Sequence, residues 1–222
     1  MRLKILTESS GSLVSAYLIK AIRAAGHHAI ASDIAEDCVG RYLAEEFLLM
    51  PRVHDDALWD KVDILLKEYS IDVVIPSFDE MLMGWAERKE YYRHMGVTVI
   101  CSDASTINIF RDKWLSYEFF EKHGIPTPKT SLSQDHPLIK PRKGRGAKGV
   151  RITSDQVSME GNISQEVILG QEYTVDVLCS KDFEPLYIVP RTRQGVRDGK
   201  STGGEVIDYP EIVDCVKYIC RH

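Results

Sequence analysis

One stretch of the chain gathers the residue types that hold phosphate. Residues 138–152 read Leu-Ile-Lys-Pro-Arg-Lys-Gly-Arg-Gly-Ala-Lys-Gly-Val-Arg-Ile. A short apolar run delivers Lys140 at its end, and a second run follows at Val150–Ile152. Between them, Gly144, Gly146 and Gly149 alternate with Arg142, Lys143, Arg145 and Lys148. Glycines let backbone N–H groups approach phosphate oxygens and form an anion nest. The cationic side chains offset the charge of a polyphosphate. The loop opens no long helix and lacks the GxxxxGK[ST] spacing, so it is not the usual P-loop. A flexible hairpin tip with solvated charges would have the same composition. A nucleic-acid surface fits less well, because the surrounding chain is acidic and no aromatic platform flanks the loop.

Other residues could do chemistry elsewhere. Gly11 follows the first apolar run and Asp33 ends the second, which invites a dinucleotide reading. The other glycines of that fingerprint are missing, and the turn is rich in serine. Asp79 and Glu80 come just after the apolar run Ile71–Ile75, at the strand end where open α/β sheets bind ligands. A plain helix N-cap would look the same. The five cysteines fit no zinc or redox spacing and read as reduced thiols in a cytoplasmic protein. The seven histidines are scattered, and no metal site is expected from them.

These residues need elements to position them. Strands are expected at Arg2–Leu6, His28–Ser32, Phe47–Met50, Ile71–Ile75 and Val97–Cys101. Helices are expected between them, from Leu13 to Ala25, from Asp55 to Tyr69 and from Met81 to His94. Strands alternating with helices imply a parallel sheet. The texture changes near residue 103. Asp103 can cap a short helix through Phe110, and Asp112 can cap another over Lys113–Lys122. Beyond Leu138 the pattern turns to strands: Leu138–Lys140, Val150–Ile152, Ile163–Glu166, Tyr173–Leu178 and Leu186–Val189. A closing helix runs from Glu211 to His222. The expected division is therefore a Rossmann-like α/β domain over 1–102 and an α+β domain over 103–222.

Composition narrows the classes. The chain has 222 residues, 44% hydrophobic and 27% charged, which is ordinary for a folded protein. Its net charge of −5 offers no general attraction to nucleic acid or to anionic membranes. No apolar run is long enough to span a bilayer.

Three segments in order carry a resemblance. Arg111-Asp112-Lys113 precedes the Lys140 strand with its glycine-rich loop, and Gln165-Glu166-Val167-Ile168-Leu169-Gly170-Gln171-Glu172 follows it. This set resembles the ATP-grasp superfamily over roughly 103–208. Ile75-Pro76 with Asp79-Glu80, and Gly124 to Pro128, look most like the carbamoyl-phosphate-synthase large-chain type. The α/β domain resembles the usual N-terminal partner of that family.

The resemblance implies roles. Lys113 and Lys140 would reach the α- and β-phosphates of ATP. The loop with Gly144, Arg145 and Gly146 would close over the β- and γ-phosphates. Adenine would lie near Gln165 or Glu166, with Val167 and the backbone of Ile168 at the ring edge, and Glu172 would accept from the ribose hydroxyls. Arg191 and Arg193, with Arg197, would hold a phosphate or carboxylate at the reaction centre. The implied chemistry is ATP-dependent ligation of a small-molecule carboxylate to an amine through an acyl phosphate, with magnesium bridging the phosphates.

The family's magnesium ligands are acidic residues and an asparagine on late strands, and nothing after Glu205 matches them. No metal ligand is assigned, and the chain reads as cut short before those strands. An apolar face left open would favour association with a second copy or a complementing chain. Two other classes stay open: a nucleotide-binding module without catalysis, and a dinucleotide-dependent oxidoreductase using Gly11 and Asp33.

Overall fold

A computed structural model describes residues 1–12, 14–196 and 201–222. The chain divides into two units, Met1–Asn108 and Ile109–His222. The first is built on strands β1 (Lys4–Thr7), β2 (His28–Asp33), β3 (Glu46–Leu49), β4 (Val73–Ile75) and β5 (Thr98–Val99), with helices α1 (Ser15–Ala24), α2 (Leu58–Glu68), α3 (Asp79–Glu87) and α4 (Lys89–His94) between them. The strands pair in parallel in the order β3-β2-β1-β4-β5.

Both faces of this sheet are covered, which is why its strands are apolar throughout rather than alternating. On one face Leu6, Ile30, Leu48, Val74 and Val99 pack with Leu58, Val62 and Leu66 of α2 and with Met81, Trp85 and Tyr92. On the other, Ile5, Ala29, Ala31 and Val73 pack with Ile19 and Ile22 of α1.

Local structure departs from the sequence reading in two places. The helix expected over Met81–His94 is two helices that break at Arg88, whose φ and ψ are −103° and 3°. In a straight helix, residues seven apart are about 10 Å apart along the axis. The break lets the Trp85 and Tyr92 rings meet at 5.3 Å between centroids, both fully buried. The serines before α1 do not cap it: its N-cap is Val14, and Ser10 instead hydrogen-bonds Thr7 and the Ser32 backbone N–H. The Asp103 carboxylate pairs with Lys89 at 2.7 Å. Leu13, placed at the start of α1 by its period, lies outside the described residues.

The second unit begins in α5 (Ala104–Phe110), which straddles the division, and continues with α6 (Lys113–Lys122). Strands β6 (Thr130–Ser131), β7 (Leu138–Pro141), β8 (Arg151–Ile152) and β9 (Asn162–Gln165) form an antiparallel sheet in the order β6-β9-β7-β8. β10 (Tyr173–Cys179) and β11 (Pro185–Thr192) form a separate antiparallel pair, and α7 (Pro210–Cys220) packs on β11. The Tyr218 hydroxyl of α7 donates to the His123 carbonyl at the end of α6, at 3.1 Å.

Candidate functional site

The Lys140 strand is fixed by its neighbours before the lysine does anything. Ile139 and Ile163 are fully buried and hold β7 against β9. Their pairing puts Lys140 and Gln165 on one face of the sheet, two positions apart along β9. The Lys140 Nζ donates to Gln165 Oε1 at 2.5 Å, and Gln165 Nε2 donates to Thr130 Oγ1 at 2.8 Å. Burial, then the nearby Lys113 ammonium, push Lys140 below the usual lysine range.

Lys113 arrives from the first turn of α6. Asp112 caps that helix, accepting from the backbone N–H groups of Trp114 at 2.9 Å and Leu115 at 3.5 Å. The Lys113 Nζ donates to the carbonyls of Arg142 at 3.3 Å and Gly144 at 3.1 Å. Burial also lowers its pKa, while the Asp112 carboxylate works in the opposite direction. The Lys113 ammonium thus faces the start of the glycine-rich loop, and its charge reaches Lys140, which is half-buried on β7. Such a pair is stabilised by an anion placed between them.

The loop itself is exposed from Lys143 to Val150 except for a half-buried Gly146. Gly149 has φ +74°, and a Cβ there would stand 3.0 Å from the Pro141 ring, so only glycine returns the chain to β8 without strain. A hollow of about 370 Å³ opens beside the loop base between Asp112, Arg142, Lys143 and Gly161.

The residues expected at the purine lie along the segment after β9. Glu166 is tied to the strand opposite: its Oε1 accepts from the Lys129 backbone N–H at 2.8 Å, and its own N–H donates to the Lys129 carbonyl at 3.0 Å. Val167, Ile168 and Leu169 expose their side chains, Leu169 at 90%. Glu172 sits just before β10, with its carboxylate ion-paired to Arg193 after β11. Arg191 pairs with Asp176 at 2.7 Å on the same face. Glu172, Arg191 and Arg193 therefore form one charged row on the β10–β11 pair. Lys113, Lys140 and the loop form a second cluster on the other sheet. Arg197 lies outside the described residues.

The donor set does not fit a protein-held magnesium ion. Glu172, Asp176 and Asp112 each pair with an arginine. Among the described residues, no group of three or more His, Cys, Asp or Glu is placed to hold a metal.

In the first unit, the carboxylate that the strand end positions is Glu8, which sequence reasoning passed over. It is 3% exposed. Its carboxylate accepts from the Trp85 indole N–H at 2.7 Å and from the Ser77 backbone N–H at 3.2 Å. Burial pushes its pKa up to about 7, against the pull of those donors and of the Phe78 N–H. A single carboxylate one residue past a strand carries no sequence signal of its own. Asp79 and Glu80 are exposed in the first turn of α3. The Gly11 turn is closed: Gly11 N–H donates to Asp33 Oδ2 at 2.9 Å, and Gly40 packs so tightly on Ser10 that a Cβ would come within 2.3 Å. Asp33 is thereby engaged by the turn, which disfavours the dinucleotide reading. A second, apolar hollow of about 310 Å³, lined by Leu49, Pro51, Ile64 and others, has its charged lining residues, Asp55 and Lys61, already joined at 2.5 Å.

Comparison with known proteins follows the same division. Residues 110–221 match the family described as an ATP-grasp domain, and residues 5–100 match the PylC-like, N-terminal domain. A carbamoyl-phosphate synthase of Methanobrevibacter smithii is 22% identical over 200 residues, covering 79% of this chain and 53% of that protein. Among solved structures, N5-carboxyaminoimidazole synthetase from Staphylococcus aureus, complexed with ADP, superposes with a TM-score of 0.71 at 12% identity, over 100% of this chain and 63% of that one. An L-amino acid ligase from Bacillus licheniformis gives 0.71 at 17% identity, over 99% and 59%. The chain thus spans about half the length of the curated relative it matches. Among the described residues, no helix is long and apolar enough to cross a membrane.

Proposed function

The chain belongs to the ATP-grasp family, and from that premise we propose that it binds ATP and uses it to join a small carboxylic acid to an amine. The observation that carries this reading is the half-buried Lys113 ammonium held against the base of a glycine-rich loop, near enough to the half-buried Lys140 for its charge to act on it. Like charges held together in partial burial cost free energy until an anion joins them. A polyphosphate supplies that charge, and the loop N–H groups with Lys143, Arg145 and Lys148 surround it.

In the proposed reaction a carboxylate oxygen attacks the γ-phosphorus and ADP departs. The amine nitrogen then attacks the acyl phosphate carbon, inorganic phosphate leaves, and the amine proton passes to solvent. The chain's own work is to bind, neutralise and orient, which is what phosphoryl transfer asks of a protein. Lys113 and Lys140 hold the phosphates. The loop from Gly144 to Gly149 folds over them and excludes water. Glu166, Val167 and Ile168 border the purine, and Glu172 takes the ribose hydroxyls once Arg193 yields it. Arg191 and Arg193 face the acceptor. Any magnesium would be held by the phosphates of the nucleotide, whose charge it would offset. The S. aureus synthetase, solved with ADP, supports the nucleotide part of this reading.

A second reading is a nucleotide-binding module that turns nothing over by itself. It is favoured by the pairing of Asp112, Asp176 and Glu172 each with an arginine.

Trypsin tests the nucleotide site directly, because Arg145 and Lys148 are exposed loop cleavage sites. MgATP should slow cleavage after both residues, and adenosine should not. Equal cleavage with and without saturating MgATP would remove the reading. Release of ADP by the protein given a carboxylate would exclude the second reading.

A further inference from the structure

The loop leaves β7 through Arg142, and Arg142 is held from every side. Its N–H donates to the Gly161 carbonyl at 3.0 Å. Its carbonyl accepts from Lys113 N–H at 3.0 Å and from Lys113 Nζ at 3.3 Å. Its guanidinium makes a two-pronged pair with Asp112, Nε to Oδ1 at 3.1 Å and Nη2 to Oδ2 at 2.7 Å. Asp112 is 2% exposed, and it also caps α6. A lysine could not reproduce that fork.

This arrangement does two things. It pins the first residue of the loop to the first turn of α6. It also occupies the one carboxylate beside Lys113 in sequence. The Asp112 charge already acts on the Lys113 ammonium. Were the carboxylate released, it could pair with Lys113 and neutralise it. As built, the Lys113 Nζ donates to two neutral carbonyls, which orient an ammonium without cancelling its charge.

We propose that Arg142 is a positioning residue: its forked pair with Asp112 registers the glycine-rich loop against α6 and keeps the Asp112 carboxylate off Lys113, so that Lys113 stays available to a polyphosphate. This rests on the nucleotide reading of the same site. It assigns Arg142 a role different from that of the neighbouring loop cations, which contact the ligand themselves.

The test is titration of the full chain with MgATP and with adenosine. Arg142→Ala should weaken MgATP binding about tenfold, the scale of one lost charge-assisted interaction, with adenosine binding unchanged. Arg142→Lys should show a smaller loss. The decisive comparison is Arg142→Ala with Asp112→Asn in one chain. Asparagine still caps the helix but carries no charge. The double variant should recover most of the lost affinity, because nothing remains to neutralise Lys113. A purely structural latch predicts no recovery, and that result overturns the proposal. If Arg142→Ala does not fold, Arg142→Lys with and without Asp112→Asn makes the same comparison. Wild-type protein that binds no MgATP overturns the nucleotide reading and this proposal together. Wild-type binding that persists unchanged in the Arg142 variants overturns this proposal alone.

Discussion

Lys113 and Lys140 each give up part of their hydration, and both pKa values fall as a result, Lys140 further under the Lys113 charge. These two lysines and the Asp112 cap could be read from the sequence, because each sits at a defined place: a strand end, a helix first turn, an N-cap. The ion pairs around them could not. Asp112 and Arg142 are thirty residues apart, and Glu172 and Arg193 twenty-one. Which charge meets which depends on how sheets approach, and local spacing does not record that. Glu8 is the same case in the first unit, and it makes a prediction. Its folded pKa of about 7 lies above the ordinary 4.5. Between these values the folded protein keeps a proton that the unfolded chain has released. The contribution is therefore full below pH 4.5, and stability falls as pH rises toward 7, by on the order of 3 kcal/mol. Urea unfolding at pH 5 and pH 8 should show that fall in the wild type. Glu8→Gln should abolish the slope, though it puts an amide donor against Trp85 or Ser77 and costs stability at both pH values.

Elements were legible wherever one period ran without interruption. The strands Ile71–Ile75 and His28–Ser32 show as apolar runs because both sheet faces are covered. The break at Arg88 was not legible, since Met81–His94 contains no glycine cap or proline at that point, only a glycine four residues earlier. The cause is tertiary: Trp85 packs edge-on against Trp59 at 5.2 Å, and the Arg88 guanidinium lies over the same Trp59 ring at 4.2 Å. Gly84 serves this packing. A Cβ there would come within 2.1 Å of the Trp59 ring. Gly84→Ala should therefore destabilise the protein by about 1–3 kcal/mol through overpacking, despite alanine's better helix propensity. Thermal unfolding measures the loss. MgATP affinity at a temperature where the variant is folded should not change, because the site lies in the other unit.

The whole chain reads as two units with different logic. The first buries a sheet on both faces and commits its polar groups to its own turns, as Gly11 with Asp33 and Glu8 with Ser77 show. The second buries fewer apolar side chains, with Ile125, Ile139 and Ile163 buried among the described residues, and it leaves the cations and most glycines of the 143–150 loop exposed. The order of elements was readable from the sequence, because periodicity and punctuation are local. The charged row of Glu172, Arg191 and Arg193 became visible only once β10 and β11 were paired. Calorimetric titration of the intact chain with MgATP tests the central claim most directly. The account predicts saturable binding at one site, weakened at least about tenfold by Lys113→Ala and by Lys140→Ala separately. Wild-type protein that gives no binding heat or thermal shift, or two alanine variants that bind as tightly as the wild type, would contradict it.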